Sequence, residues 1–232
     1  MNFLILEANP FIDAYKDSDL LGRLIFIALA VLSIISWSVL LHTWWLIRRV
    51  KKESFQFKRS FHEQRLSPLS VQYTYESKSE CPNAFYILYE ILKNRTCEIL
   101  EKKQEKNSQL HHSDLKMLES QAATAITSLT KYLDKNLYML STIVTLAPFL
   151  GLLGTVYGIL TAFSNMNLSG SSSSLVLNSL SLALTTTVIG LVDAIPALIG
   201  YNYLKNTISD FDIEMERFAT DVLTTIEIHH RN

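Results

Sequence analysis

The sequence MLSTIVTLAPFLGLLGTVYGILTAF occupies residues 139–163, and LVLNSLSLALTTTVIGLVDAIPALIGYNY follows at residues 175–203. Between residues 136 and 204 the chain carries one formal charge, on Asp193. Crossing the hydrocarbon core of a bilayer takes about 20 predominantly apolar residues. The two stretches therefore predict two membrane-spanning helices separated by a short polar turn.

A third charge-free stretch lies upstream, at residues 24–47, and Arg23 and Arg48 bracket it. A cleaved signal peptide is the competing interpretation, but it has a basic leader and an apolar core of about 7 to 15 residues. Here the leader is acidic and the core is longer. The sequence therefore predicts an all-α integral membrane protein with three spans.

The positions of Lys and Arg predict the orientation of the spans. The connection at residues 48–138 holds 16 of the 21 basic residues, and the turn at residues 164–174 holds none. Positive residues close to span ends stay in the cytoplasm. We therefore expect residues 1–23 and the turn outside, and the connection and residues 204–232 inside.

The cytoplasmic segments have helical periodicity. Within the connection this pattern is interrupted at residues 67–83 and 106–112, which are rich in polar and turn-forming residues. In residues 204–232 apolar side chains also recur at helical spacing. We expect long helices that continue from the spans into the cytoplasm and pack there as a bundle.

Several functional classes receive no support from the composition. The formal net charge is −1, and no basic surface indicates nucleic-acid binding. Cys81 and Cys97 have no second ligand at metal spacing, and the pair His111 and His112 points to different sides of a helix. We expect no metal, no cofactor and no enzymatic activity.

Small residues form one face on each of the two later spans. In the earlier span they are Ala147, Gly151, Thr155, Gly158 and Ala162. In the later one they are Ala183, Thr187, Gly190, Ala194 and Ala197. Such faces let helix backbones approach closely in lipid. The residues predicted to serve helix packing are Gly151, Gly154, Gly158, Gly190, Ala194 and Pro196.

Polar side chains in the same spans are the candidates for function. A threonine hydroxyl can bond to a carbonyl of its own helix, which leaves a purely structural explanation open for Thr155, Thr186 and Thr187. A carboxylate at the centre of a span costs about 2.5 to 3.5 kcal/mol on insertion scales. Asp193 is therefore expected to face a protein interior or a watery cavity.

The segments APFLGLLGTVYGILTAF, from residue 147, and LALTTTVIGLVDAIPALIGYN, from residue 182, resemble the core of the TolQ/ExbB/MotA proton-channel family. The order of one span, a long connection and two further spans also resembles the TolQ and ExbB branch, TolQ most closely. MotA-like proteins have four spans and fit less well.

This resemblance implies a motor subunit of the bacterial inner membrane that uses the proton motive force to energise envelope processes. It implies a homo-oligomeric ring, a pentamer, around a single-span partner of the TolR or ExbD type that supplies a proton-accepting aspartate. Thr155 and Thr187 match threonines that line the ring lumen. A TolA-like or TonB-like protein and membrane lipids are the other expected partners.

The chain departs from the family pattern at Leu182, where TolQ and ExbB usually carry a glutamate. Asp193 lies on nearly the same side of the helix, about 20° away and about 16 Å further along the axis. Thr186 lies on the same side as Asp193, and we group both with Thr155 and Thr187 as candidate residues of the proton pathway and lumen. Four roles for Asp193 stay open: replacing the glutamate, pairing with His42, capping a water path to the cytoplasm, or making a structural hydrogen bond across a subunit boundary.

Two further classes were weighed. A secondary transporter would show repeated spans around a substrate site, and the three spans show no repeat. A passive membrane scaffold would use the same small-residue faces and stays open, as does an ExbB-type role in outer-membrane uptake in place of a TolQ-type role in a Tol-Pal system.

Overall fold

The computed structural model describes residues 15, 19–64, 82–104, 112–167 and 173–230, and this part of the chain is helical. Its five helices are α1 (Leu20–Glu63), α2 (Ala84–Gln104), α3 (His112–Asp134), α4 (Leu137–Asn167) and α5 (Ser173–His230). Three helical segments are apolar and long enough to cross a membrane: Leu20–Glu63, Leu137–Ser164 and Val176–His229. The predicted all-α class with three spans is confirmed.

Parts of the sequence-based predictions fall on residues outside the described ranges. These are most of the amino-terminal segment 1–23, residues 67–81 and 106–111 of the two interruptions, and the centre of the turn at residues 164–174. On either side of that turn, α4 extends to Asn167 and α5 begins at Ser173.

The chain folds into two compact units. The membrane unit comprises Met1–Leu41 and Leu137–Tyr203, and the bundle unit comprises His42–Asn136 and Leu204–Asn232. Each unit therefore combines segments that are distant in sequence.

The membrane unit packs α1, α4 and α5 around small and branched apolar side chains. Its buried cluster contains Ile25, Leu29, Ala147 and Ala194, with Leu150 and Ile189 against it. A methyl group added at Gly200 would overlap the Cδ1 atom of Leu40. The missing side chain at Gly200 thus lets α5 lie close to α1.

An aromatic core holds the bundle unit together. Phe57, Phe61, Phe85 and Phe218 are fully buried. The ring of Phe85 stacks on that of Phe218 with a centroid separation of 4.8 Å. Burying aromatic side chains supplies most of the core energy in such bundles. This core joins α1, α2 and α5.

Polar contacts fix the ends and register of the bundle helices. The Asn83 side-chain oxygen accepts a hydrogen bond from the Tyr86 amide at 3.1 Å, which caps the amino terminus of α2. The Thr130 hydroxyl donates to Asp212 at 2.6 Å and ties α3 to α5. The second bond places α3 beside the carboxyl-terminal half of α5.

Candidate functional site

The α4 and α5 helices meet along a seam of small residues, which we call the α4–α5 seam. A methyl group on Gly151 would lie 3.0 Å from the Thr187 Cα atom, and one on Gly158 would lie 2.7 Å from the Ala183 Cβ atom. A methyl group on Gly190 would lie 2.7 Å from the Ala147 carbonyl oxygen. Backbone contact at this distance requires glycine on at least one side.

Thr155 and Thr187 converge on the carbonyl group of Gly151. The Thr187 hydroxyl donates to the Gly151 carbonyl oxygen at 3.0 Å, across the seam. In an α-helix the same carbonyl accepts the backbone amide of the residue four positions later, which is Thr155. Both threonines are partly exposed. The backbone amide of Thr155 and the hydroxyl of Thr187 therefore share this carbonyl, and we call the border of the seam that carries the two threonines the hydroxyl edge.

The hydroxyl of Thr155 bonds within its own helix. It donates to the Leu152 carbonyl oxygen at 2.7 Å. This is the self-satisfied arrangement that the sequence left open for the threonines. Thr187 differs, because its bond joins two helices.

Thr186 lies inside the seam and away from the hydroxyl edge. Its side chain is 0% exposed. A methyl group added at Gly154 would meet the Thr186 side chain, with 2.6 Å to its Cβ atom. The Thr186 hydroxyl donates to the Ala183 carbonyl oxygen at 2.9 Å, within α5. The sequence grouped Thr186 with the lumen residues, whereas within a single chain its side chain packs between α4 and α5.

Asp193 is buried in the membrane unit against α1. Its side chain is 6% exposed, and Leu182, on the same side of α5, is 5% exposed. Ser33 of α1 is close enough to interact with the carboxylate. Neither carboxylate oxygen has a partner with full hydrogen-bond geometry among the described residues. Asp193 therefore faces a protein interior, as the insertion cost predicts.

His42 was one possible partner of Asp193 on sequence grounds. In the structure its Nδ1 atom lies 3.4 Å from the amide nitrogen of Asn136. His42 belongs to the bundle unit and Asp193 to the membrane unit, so pairing of the two side chains stays a prediction.

The remaining predicted packing residues also lie in the membrane unit. Ala194 belongs to the buried cluster. Pro196 is partly exposed, and α5 continues through it without a break. Within the described ranges, no three His, Cys, Asp or Glu side chains are grouped in a way that could hold a metal ion.

Sequence reasoning missed the polar group that α1 brings to Asp193. Ser33 and Ser36 lie in the charge-free stretch at residues 24–47, and Ser36 is 3% exposed. Their spacing of three places both on one side of a helix. Two serines on one side of an otherwise apolar span were the available signal.

Three apolar helices, a glycine seam and a buried acid define a polytopic helical membrane protein with a polar site between its spans. The model of the MotA/TolQ/ExbB proton channel family matches residues 89–217, which is more than half of the chain. The chain belongs to this family.

Individual relatives fall in two branches of the family. The chain is 27% identical over 219 residues to the Tol-Pal system protein TolQ of Haemophilus influenzae, covering 93% of this chain and 92% of that protein. It is 26% identical over 217 residues to the biopolymer transport protein ExbB of Pseudomonas putida, covering 91% of this chain but 62% of that protein. A shorter match, 44% identical over 94 residues, covers 40% of this chain and 63% of the ExbB protein of Helicobacter pylori.

Proposed function

We propose that this chain is a subunit of an inner-membrane motor that uses the proton motive force to energise envelope processes. It assembles as a homo-oligomeric ring, a pentamer, around a single-span partner of the TolR or ExbD type. The partner contributes an acid within the membrane, and a TolA-like or TonB-like protein receives the force. The chain itself catalyses no reaction.

The observation that carries this proposal is the hydroxyl edge. Thr155 and Thr187 are the two threonines that the family resemblance assigns to the lumen, and the Thr187 hydroxyl bonds to the Gly151 carbonyl, one helical turn before Thr155. Hydroxyl groups can hold water or a carboxyl group without carrying charge themselves. A ring that presents this edge inward would surround the acid of the partner with neutral polar groups.

TolQ and ExbB relatives match the chain at similar identity, so the complementation experiment below decides between a TolQ-type and an ExbB-type role. We also propose that the amino terminus lies outside and the carboxyl terminus inside, because residues 48–138 carry 16 of the 21 basic residues and positive residues near span ends stay in the cytoplasm.

The proposal is tested by removing the two hydroxyls of the hydroxyl edge. Valine is nearly isosteric with threonine but has no hydroxyl. The double variant Thr155→Val with Thr187→Val is expressed with its single-span partner. The host cells lack their own TolQ-type and ExbB-type subunits. We expect the complex to assemble but to support neither envelope integrity, measured as detergent resistance, nor TonB-type uptake.

Thr161→Val is the matched control. Thr161 lies in the same helix, and its hydroxyl donates to the Tyr157 carbonyl oxygen at 3.0 Å. We expect this variant to retain activity. Normal activity of the double variant would leave the passive scaffold as the better function. Restoration of uptake alone by the unmodified chain would assign it to the ExbB type.

A further inference from the structure

A cationic and aromatic face lies on α1 across the end of its charge-free stretch. It consists of Trp44, Trp45, Arg48 and Lys52, and we call it the Trp-Arg face. Arg48, Lys52 and Trp45 are exposed, and Trp45 is 56% exposed. Residues three and four apart share one side of a helix. Both cations therefore point away from the bundle core together with an indole ring.

The guanidinium group of Arg48 is held in place by Trp44. Its Cζ atom lies 4.0 Å from the centroid of the Trp44 ring. Such stacking uses the face of the guanidinium plane and leaves its N–H groups at the edge. Arg48 is thus preorganised to donate two parallel hydrogen bonds.

Acidic partners distinguish three other cations of α1 from those of the Trp-Arg face. Arg49 pairs with Glu53 at 3.5 Å, Lys58 with Glu214 at 3.1 Å and Arg59 with Glu63 at 3.3 Å. In the described part of the chain, Arg48 and Lys52 take part in no ion pair. Two cations at the start of the basic segment therefore carry uncompensated charge.

We propose that the Trp-Arg face binds the phosphate headgroup of an anionic phospholipid at the membrane surface where α1 leaves the hydrocarbon core. The planar fork of Arg48 matches two phosphate oxygens, and Lys52 adds a point charge one helical turn away. The indole ring of Trp45 sits at headgroup depth, where tryptophan is enriched. This site is separate from the hydroxyl edge.

Charge and position together favour a lipid as the occupant. The two cations of the face follow residues 24–47, which carry no formal charge, so they lie at a hydrocarbon boundary. Each basic side chain near an anionic membrane surface contributes about 1 kcal/mol. This corresponds to roughly fivefold local enrichment of anionic lipid for each of the two cations.

The test uses the native tryptophans as reporters. The chain contains three tryptophans, and Trp37→Phe leaves Trp44 and Trp45 as the emitters. The purified full chain is placed in phosphatidylcholine nanodiscs with a minor fraction of brominated phosphatidylglycerol or of brominated phosphatidylcholine. We expect stronger quenching by the anionic lipid, and we expect this preference to fall as salt screens the charges.

Two double variants separate a defined site from general positive charge. Arg48→Gln with Lys52→Gln should abolish the preference for the anionic lipid. Arg59→Gln with Arg95→Gln removes the same net charge from exposed residues that pair with Glu63 and Glu98. This control should keep the preference, and circular dichroism should show equal helix content for all variants.

Three outcomes would overturn the proposal. They are equal quenching by both brominated lipids in the parent chain, retained preference in the Arg48 and Lys52 variant, and an equal loss in the control variant. If the Arg48 and Lys52 variant does not fold, Arg48→Lys decides. This substitution keeps the charge but loses the fork, so it should lower the preference, and an unchanged preference would reject the site.

Discussion

Asp193 is a buried acid whose carboxylate oxygens have no hydrogen-bond partner with full geometry in the described part of the chain. A charged side chain at the centre of a span costs about 2.5 to 3.5 kcal/mol. Leucine or asparagine at this position would avoid that cost. A residue that lowers stability in this way is often retained for function.

We therefore predict opposite effects of Asp193→Asn on stability and on function. The variant keeps the size of the side chain but cannot titrate, so its thermal stability in detergent should equal or exceed that of the parent chain. Envelope energisation should fall. The two measurements are a melting temperature and detergent resistance of complemented cells. Full activity at every pH tested would make Asp193 structural.

Leu182 provides the companion experiment for Asp193. Both side chains are buried on one side of α5, at 5% and 6% exposure. If the acid has moved along this side, Leu182→Glu should restore the activity that Asp193→Ala removes. Activity that stays absent in the double variant would show that Asp193 acts through its own neighbours, including Ser33.

The candidate residues were visible in the sequence, but their partners were not. An acid in an apolar span is conspicuous, and so are threonines among glycines. The contact between Ser33 and Asp193 depends on how α1 lies against α5. The sequence of either helix alone does not determine that register. For the same reason the hydrogen bond from Thr187 to Gly151 could not be predicted.

At the scale of elements, each glycine of the α4–α5 seam leaves space for an atom of the opposite helix. At Gly154 the Thr186 side chain fills that space. At Gly190 the opposing atom is the carbonyl oxygen of Ala147, which is backbone. A side chain can be removed from the first pair by substitution, but a backbone atom cannot be removed from the second.

We predict that Gly154→Ala destabilises the membrane unit by about 1 to 3 kcal/mol, because the added methyl group overpacks the seam. Thr186→Gly removes the opposing side chain, so the double variant should recover part of the loss despite the cost of glycine in a helix. Gly190→Ala should be equally damaging. Thermal unfolding in detergent measures the parent chain and the four variants, and purely additive effects of Gly154 and Thr186 would contradict the pairing.

The sequence predicted the helices well because long apolar stretches and helical periodicity are strong, local signals. The predicted spans at residues 24–47, 139–163 and 175–203 fall within α1, α4 and α5. The sequence did not determine which helix faces meet. Small residues on both spans predicted close packing. The placement of Thr186 in the seam and of Thr187 at its edge depends on the orientation of α5 about its own axis, which the structure provides.

At the scale of the whole molecule, we predict a ring of identical subunits. The seam joins α4 to α5 within one chain, while side chains beside it stay exposed, among them Phe149, Val156, Leu184 and Val188. Contacts between two different faces of identical copies form a closed ring when repeating the rotation from one copy to the next returns to the first copy. These exposed apolar faces are available for such contacts.

Native mass spectrometry of the chain released from detergent measures its oligomeric state directly. We expect one closed species of five subunits, and a heavier one when the single-span partner is co-expressed. Gly158→Leu should weaken the assembly, because it forces α4 away from Ala183 and deforms the subunit. A stable monomer of the unmodified chain would refute the ring.

The hydrogen bonds of the hydroxyl edge also determine whether it can donate further hydrogen bonds or only accept them. A hydroxyl has a single hydrogen, and those of Thr155 and Thr187 are committed to the carbonyl oxygens of Leu152 and Gly151. Only lone pairs remain to face outward. Such an acceptor-only edge is matched by a carboxylic acid that carries its proton, and it offers nothing to a carboxylate. A carboxyl group beside this edge would therefore be favoured in its protonated form, and it would release its proton after moving away from the edge.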